Sequence, residues 1–87
     1  MLDRSELTGR SGGHASARLD CYVGGNIRQA RNRQDMSLVD LGQVLGVQES
    51  SMADYESGRE RLSATMLYRI AVTLDVTLAS LFGVPRL

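Results

Sequence analysis

Eighty-seven residues, with ten arginines, no lysine and ten acids, give a formal net charge of zero on a chain that is 43% hydrophobic and 5% aromatic. That is one domain's worth of material, and a chain this short buries only about 60% of its unfolded surface, which weighs against a large enclosed catalytic site. The single Cys21 excludes an intramolecular disulfide framework and a cysteine-rich zinc site and fits a reducing interior. No apolar stretch approaches the roughly 20 residues that span a bilayer, and the start MLDRSELTGRSGG lacks the apolar middle of a secretory signal, so the expected location is the cytoplasm. Zero net charge supplies no global attraction to nucleic acid, so DNA binding would have to come from locally clustered charge.

Residues 1–20 carry Gly9, Gly12, Gly13, Ser5, Ser11 and Ser16 with apolar residues thinly scattered, and are expected to form a flexible arm. Its Arg4, Arg10 and Arg18 are balanced by Asp3, Glu6 and Asp20, leaving a minor-groove arm and a plain disordered leader both open. The domain proper is expected over 21–87. From Tyr22 the spacing becomes helical: Val23, Ile27 and Ala30 share one face of a first helix that ends near Gln34. Ser37 reads as an N-cap with Asp40 three residues later, and Leu38, Leu41, Val44 and Leu45 form the predicted buried stripe of a second helix, stopped by Gly46.

A third helix is predicted at about Gln48 to Ser57, with Val47, Met52 and Tyr55 inward, Glu49, Ser50, Ser51 and Asp54 outward, and Gly58 just past its end. Arg59-Glu60-Arg61 forms a polar loop. Ser63 caps a fourth helix, Ala64 to Leu74, whose apolar face is Leu67, Ile70, Ala71 and Leu74. Thr77 caps a short fifth one, with Leu78, Leu81 and Phe82 inward before Gly83 and Pro85. No segment alternates like a strand, so the expected fold class is all-α, a compact bundle of about five short helices.

The informative unit is the pair of short amphipathic helices joined at Gly46, with Leu41, Leu45, Met52 and Tyr55 able to form one core between them. Gly42 in mid-helix removes a side chain where a second element must come close, the kind of packing reason that offsets a helix-propensity cost of about 1 kcal/mol. That spacing describes a helix-turn-helix. Over residues 22–83 the chain resembles the Cro/lambda-repressor-like (xenobiotic-response-element type) helix-turn-helix regulators. The resemblance rests on Ile27-Arg28-x-x-Arg31, on Met36-Ser37-Leu38-x-x-Leu41-Gly42-x-x-Leu45-Gly46-Val47, on Tyr55-Glu56-x-Gly58-Arg59, and on Leu67-x-x-Ile70-Ala71-x-x-Leu74-x-Val76-x-Leu78-x-x-Leu81-Phe82. Within the family it is closest to small alphaproteobacterial members, on Val23-Gly24 and on Ser63-Ala64 opening the fourth helix.

The resemblance implies a five-helix lambda-repressor-like domain that works as a homodimer on a palindromic operator in double-stranded DNA, with recognition helices about 34 Å apart. It also implies an ion pair between Arg31 and Glu56, structural or DNA-contacting. By position the base-reading residues are Gln48, Glu49, Ser50, Ser51 and Asp54. Family members commonly carry Ser or Thr at the first of these and Gln, Arg or Lys next, whereas this chain offers two carboxylates, which can accept from cytosine N4 but face a phosphate-rich surface. Glu49, in the first turn, also offsets the helix dipole. Arg33, Arg59 and Arg61, with Ser37 and the Leu38 amide, are the candidate phosphate contacts. The same arginines could instead pair with Asp35, Asp40 and Glu60 on a solvated face.

His14 stands alone without a second ligand at metal spacing, Cys21 has no histidine close in sequence, Met52 and Met66 fit as core filler, and Gly24-Gly25 follows no strand. No metal, no cofactor and no enzymatic activity are therefore expected, nor an effector domain after Phe82. Val84, Leu87 and the outer side of Leu81-Phe82 are candidate dimer-surface residues, with simple end packing equally open. The expected function is a sequence-specific, homodimeric DNA-binding transcriptional regulator, associated with the nucleoid when bound. The alternative, motivated by Glu49 and Asp54, is an antitoxin-like or adaptor module with a separate protein partner and weak or no operator binding.

Overall fold

In the computed structural model, which describes the backbone of residues 4–84 and the side chains of residues 17–84, three hydroxyls start three helices. Ser37 Oγ accepts from the Asp40 amide at 3.0 Å, Ser63 Oγ from the Met66 amide at 3.1 Å, and Thr77 Oγ1 from the Ser80 amide at 3.0 Å. Each bond satisfies an amide that the helix itself leaves without a partner. At Ser37 the box closes both ways, because Asp40 Oδ2 accepts from the Ser37 amide at 3.1 Å. The chain order is α1 Arg4–Arg33, α2 Leu38–Leu45, α3 Glu49–Ser57, α4 Ala64–Leu74 and α5 Leu78–Leu81, with no strand among the described residues. The fold is the expected all-helical one.

α2, α3 and α4, like α1 at Asp35 (φ 55°) and α5 at Gly83 (φ 81°), end with a residue in the left-handed region whose own and following amides turn back onto the last carbonyls. Gly46 (φ 72°) and Gly58 (φ 79°) do this for α2 and α3, and Asp75 (φ 56°) does it for α4. The first two are glycines as predicted. The third uses an aspartate, one of the few non-glycine residues that tolerates this conformation.

Val23, Ile27 and Ala30 of α1, Leu41 and Leu45 of α2, Met52 of α3, Ile70, Ala71 and Leu74 of α4 and Leu81 of α5 form the core, and Met36, Val47, Tyr55, Met66 and Leu67 pack partly buried around it. Val44, Leu78 and Phe82, predicted inward, are instead exposed. At 100° per residue, Leu38, Leu41, Gly42 and Leu45 occupy one arc of α2, and Val44 falls about 60° outside it. A one-turn α5 drives a single side chain, Leu81, into the core and leaves Leu78 and Phe82 at its edge.

α1 departs from expectation at its start. It runs from Arg4 rather than Tyr22. The side chains of 1–16, His14 among them, lie outside the described residues, while Ala17–Cys21 continue the helix. No proline interrupts the segment, and Asp20 and Cys21 find partners at Arg61 and Ser57. α1 packs chiefly on α3 and also ties down the ends of its neighbours: Asn26 Nδ2 donates to the Leu81 carbonyl at 2.8 Å, and Gln34 Nε2 to the Leu74 carbonyl at 3.2 Å.

Two glycines inside helices mark close approaches to a neighbouring backbone. A Cβ on Gly42 would strike the Val47 carbonyl and sit 3.3 Å from Met52 Cγ, so the packing reason expected for this mid-helix glycine is the turn into α3. A Cβ on Gly24 would lie 2.5 Å from the Tyr55 carbonyl oxygen and 2.7 Å from the Glu56 carbonyl carbon, both backbone of the last turn of α3. Gly25 beside it faces nothing within 4 Å. These neighbours should respond with opposite signs. Gly24→Ala pushes α1 off α3 and should destabilise by about 1–3 kcal/mol, whereas Gly25→Ala gains helix propensity and should stabilise by about 0.5–1 kcal/mol. Urea denaturation of the two variants checks this, and an equal response would mean that the α1–α3 crossing is not as close as described.

Candidate nucleic-acid interface

The interface is built from α3 and the two elements that hold it. On α3, Met52 is fully buried, Tyr55 and Glu56 are partly covered, and Glu49, Ser50, Ala53 and Ser57 are exposed. Gln48, predicted as the first helical residue, is the N-cap preceding α3; it is exposed and its side chain makes no capping bond. Ser51 and Asp54 are half-buried at the edges of the exposed strip. The strip therefore follows the periodicity of a helix lying with one side on the core. Ala53 belongs to it although its apolar side chain gave no reason to choose it; its position four residues after Glu49 and three after Ser50 was the available signal.

The far end of α3 is clamped. Arg31 Nε donates to Glu56 Oε2 at 2.7 Å and Nη2 to Oε1 at 3.0 Å, a two-pronged pair, while Nη1 donates to the Met36 carbonyl at 2.7 Å. Arg31 is 8% exposed, the only charged residue among the described residues to count as buried. Its hydrogen bonds to Glu56 hold the guanidinium pKa above its usual value against the opposing effect of burial. One side chain thus joins α1, the turn before α2 and the last turn of α3. Glu56 is neutralised and turned away from the exposed strip.

The three arginines singled out for phosphate differ in circumstance. Arg33, in the last turn of α1, is exposed and has no ion pair among the described residues. Arg59 follows α3 and lies 3.6 Å from Asp54 Oδ1, and Arg61 lies 3.5 Å from Asp20 Oδ2 on α1. The acids involved are thus Asp54 and Asp20, not the Asp35, Asp40 and Glu60 weighed from sequence. Both contacts are solvent-exposed and long, the kind that contributes at most about 1 kcal/mol, so either arginine is free to exchange its carboxylate for a phosphate. At the start of α2, Asp40 occupies the Ser37 amide and places its charge where a phosphate would gain from the helix dipole. The Leu38 amide is the next one along, at the first position of the helix.

A fourth arginine belongs here. Arg28, one turn before Arg31, is exposed and lines a shallow concavity with Leu38, Ala53 and Ser57 above the Arg31–Glu56 pair. Its signal in the sequence was the three-residue spacing to Arg31. Cys21, by contrast, donates from Sγ to the Ser57 carbonyl at 3.3 Å and backs onto Gly58, a packing position at the α1–α3 crossing.

A helix-turn-helix family model matches residues 27–81, which contain α2, α3, α4, α5 and the last turns of α1. An HTH-type transcriptional regulator of Sinorhizobium fredii, y4aM, is 41% identical over 58 residues, covering 67% of this chain and 41% of the relative. A transcriptional regulator in the ATPase CF(0) region of Rhodospirillum rubrum is 36% identical over 65 residues, covering 75% of this chain and 60% of the relative. The chain therefore spans only about half the length of the relatives it matches.

Removing one partner of the Arg31–Glu56 pair leaves a charge stranded among apolar neighbours. Glu56→Ala should cost about 3–5 kcal/mol, lowering Tm by more than about 10 °C in a domain of this size. The double variant Arg31→Met/Glu56→Leu should recover most of that loss, the remainder being the Met36 carbonyl without its donor. Thermal melts followed by circular dichroism measure both. A double variant no better than Glu56→Ala would show that the pair is not the source of the loss.

Proposed function

The chain belongs to the helix-turn-helix family of the Cro/lambda-repressor type, and on that premise we propose that it is a sequence-specific DNA-binding transcriptional regulator that acts as a homodimer, α3 entering the major groove. The observation that carries this is the division of α3 into two ends. Its last turn is immobilised by Gly24 and the Arg31–Glu56 pair, while its first turns present Glu49, Ser50 and Ala53 to solvent. A recognition helix needs this arrangement, because base edges are read by a rigidly held element that projects from the surface.

In this proposal Gln48, Glu49, Ser50 and Ser51 face the bases, Arg28 and Arg33 flank the groove as phosphate contacts, and the Leu38 amide meets the backbone at the start of α2. Arg59 and Asp54 act together: on DNA, Arg59 exchanges its long contact to Asp54 for a phosphate oxygen. Arg61, drawn toward Asp20, lies further along the same backbone strand. The protein acts inside the cell, in the nucleoid when bound, as an operator-binding regulator whose occupancy follows protein concentration and dimerisation.

The homodimer is supported by a cluster of exposed apolar residues where the described side chains of α1 begin and around the end of α5. Leu19, Tyr22, Phe82 and Val84 are exposed, Gly83 lies against the Tyr22 hydroxyl, and Leu19 and Phe82 border one groove with Val23, Leu62 and Leu67, rimmed by the charged Asp20, Glu60 and Arg61. Exposed apolar residues gathered in one patch are a mark of association. Leu87, also considered for this surface, lies outside the described residues. Phe82→Glu should shift the protein toward monomer in sedimentation equilibrium and weaken DNA binding, with little loss of Tm because Phe82 is already 40% exposed. An unchanged sedimentation profile would place the dimer contact elsewhere.

The DNA-binding assignment is checked by titrating genomic fragments at several salt concentrations. Specific fragments should survive physiological salt with a log–log slope of several phosphates. Arg59→Ala should weaken all sequences alike and reduce that slope by about 1, and Asp54→Asn should strengthen all sequences by removing a carboxylate and freeing Arg59. An absence of sequence preference at every salt concentration would overturn the assignment in favour of an adaptor or antitoxin-like module, for which the acids of α3 would contact a protein.

A further inference from the structure

The exposed strip of α3 has an unusual inventory of hydrogen-bonding groups. Glu49 can only accept, Ser50 can donate or accept, Ala53 offers a methyl group, and Gln48, whose side chain makes no capping bond, offers a carboxamide. No arginine or lysine lies on α3 at all. The nearest guanidinium that follows it, on Arg59, is drawn toward Asp54, and Glu56 is turned inward by Arg31. Glu49 is thus the one ionised group on the strip with no ion pair or side-chain hydrogen bond among the described residues.

The four bases present different edges to such a group. Guanine offers two acceptors, N7 and O6, and thymine offers O4, so each would set a lone pair against the carboxylate. Adenine offers the N6 donor with the N7 acceptor beside it, an arrangement that suits a carboxamide but confronts the second carboxylate oxygen with a lone pair. Cytosine offers the N4 donor with only a carbon-bound hydrogen beside it. A carboxylate brought into a phosphate-lined groove is tolerated only where it gains a bond, so its cost against every other base is a source of discrimination.

Resting on the DNA-binding reading above, we propose that Glu49 is the specificity-determining residue of the reading helix and selects cytosine at the base pair it faces, by accepting a hydrogen bond from N4. Ala53 lies about 6 Å further along the helix axis, so it addresses a different base pair, where its methyl group suits the methyl of thymine. At these two positions the half-site is thus read through an amino group and a methyl group.

Selection of binding sites from a randomised duplex pool, run in parallel with the wild type, Glu49→Gln and Glu49→Ala, tests the proposal. The wild type should enrich cytosine at one position of each half-site, favoured over the other bases on the order of tenfold to a hundredfold. Glu49→Gln should move that position to adenine, and Glu49→Ala should erase preference there while the rest of the motif persists. Both substitutions are on an exposed first-turn residue, and circular dichroism verifies that the variants fold. A motif identical in all three proteins, with only Tm changed, would assign Glu49 to helix-dipole compensation and overturn the proposal. Guanine or thymine at the position altered by Glu49→Gln would overturn it equally. A wild-type pool with no enriched motif would overturn the DNA-binding reading itself, and the base assignment with it.

Discussion

The guanidinium of Arg31 is the joint on which the rest of the domain depends. Its three nitrogens reach a carboxylate on α3 and a carbonyl in the turn before α2 from a position in the last turn of α1. Taking a charge out of water is costly, and the cost is tolerable here because the planar fork of arginine finds a matching carboxylate and every buried polar side-chain atom among the described residues has a partner. A lysine could not make these three directional bonds at once. The pair is better understood as setting geometry than as adding stability. It fixes the angle and depth at which α3 leaves the body of the domain.

Around that joint, contacts with no side chain at all do similar work. Gly24 and Gly58 let the backbones of α1 and α3 touch near the end of α3, and Gly42 does the same for the turn that begins it. The helix is therefore held from behind near both its ends, and Glu49, Ser50 and Ala53 on its polar side stay exposed. Rigidity behind and exposure in front follow from the same residues, because a backbone packed this closely has no room to tilt.

Zero net charge looked at first like an obstacle to nucleic-acid binding, and the placement of charge changes its meaning. Glu56 is cancelled by Arg31, Asp20 and Asp54 lie beside Arg61 and Arg59, and Asp40 is spent on the start of α2. Arg28 and Arg33 remain outside ion pairs among the described residues, and Arg28 lines a concavity with Ala53 and Ser57 of α3. A sum over the sequence treats all twenty charges alike, whereas the structure engages some acids and leaves others, Glu49 among them, without an ion pair among the described residues. For the DNA-binding role proposed above, low non-specific affinity and a dependence on the few groups of α3 follow.

The elements were largely legible from sequence, because helix starts and stops are local chemistry. Ser37, Ser63 and Thr77 cap, Gly46 and Gly58 terminate, and Val23, Ile27, Ala30, Ile70, Ala71 and Leu74 repeat at the helical period, so the bounds of α2 and α4 and the inward face of α1 needed no tertiary information. The start of α1 was not legible, since glycines and serines upstream of Tyr22 lower helix propensity and the partners that hold Asp20 and Cys21 are distant in sequence. Nor were the exposure of Val44, Leu78 and Phe82, which depends on how far round each short helix its neighbours reach, or the places of Arg28 and Ala53 beside the reading strip. By itself the sequence determined which segments become helices, where they break and which family pattern they follow. Only the tertiary structure decided which charges cancel and which face of α3 is left free, because both depend on residues far apart in the chain being brought within a few ångströms of each other.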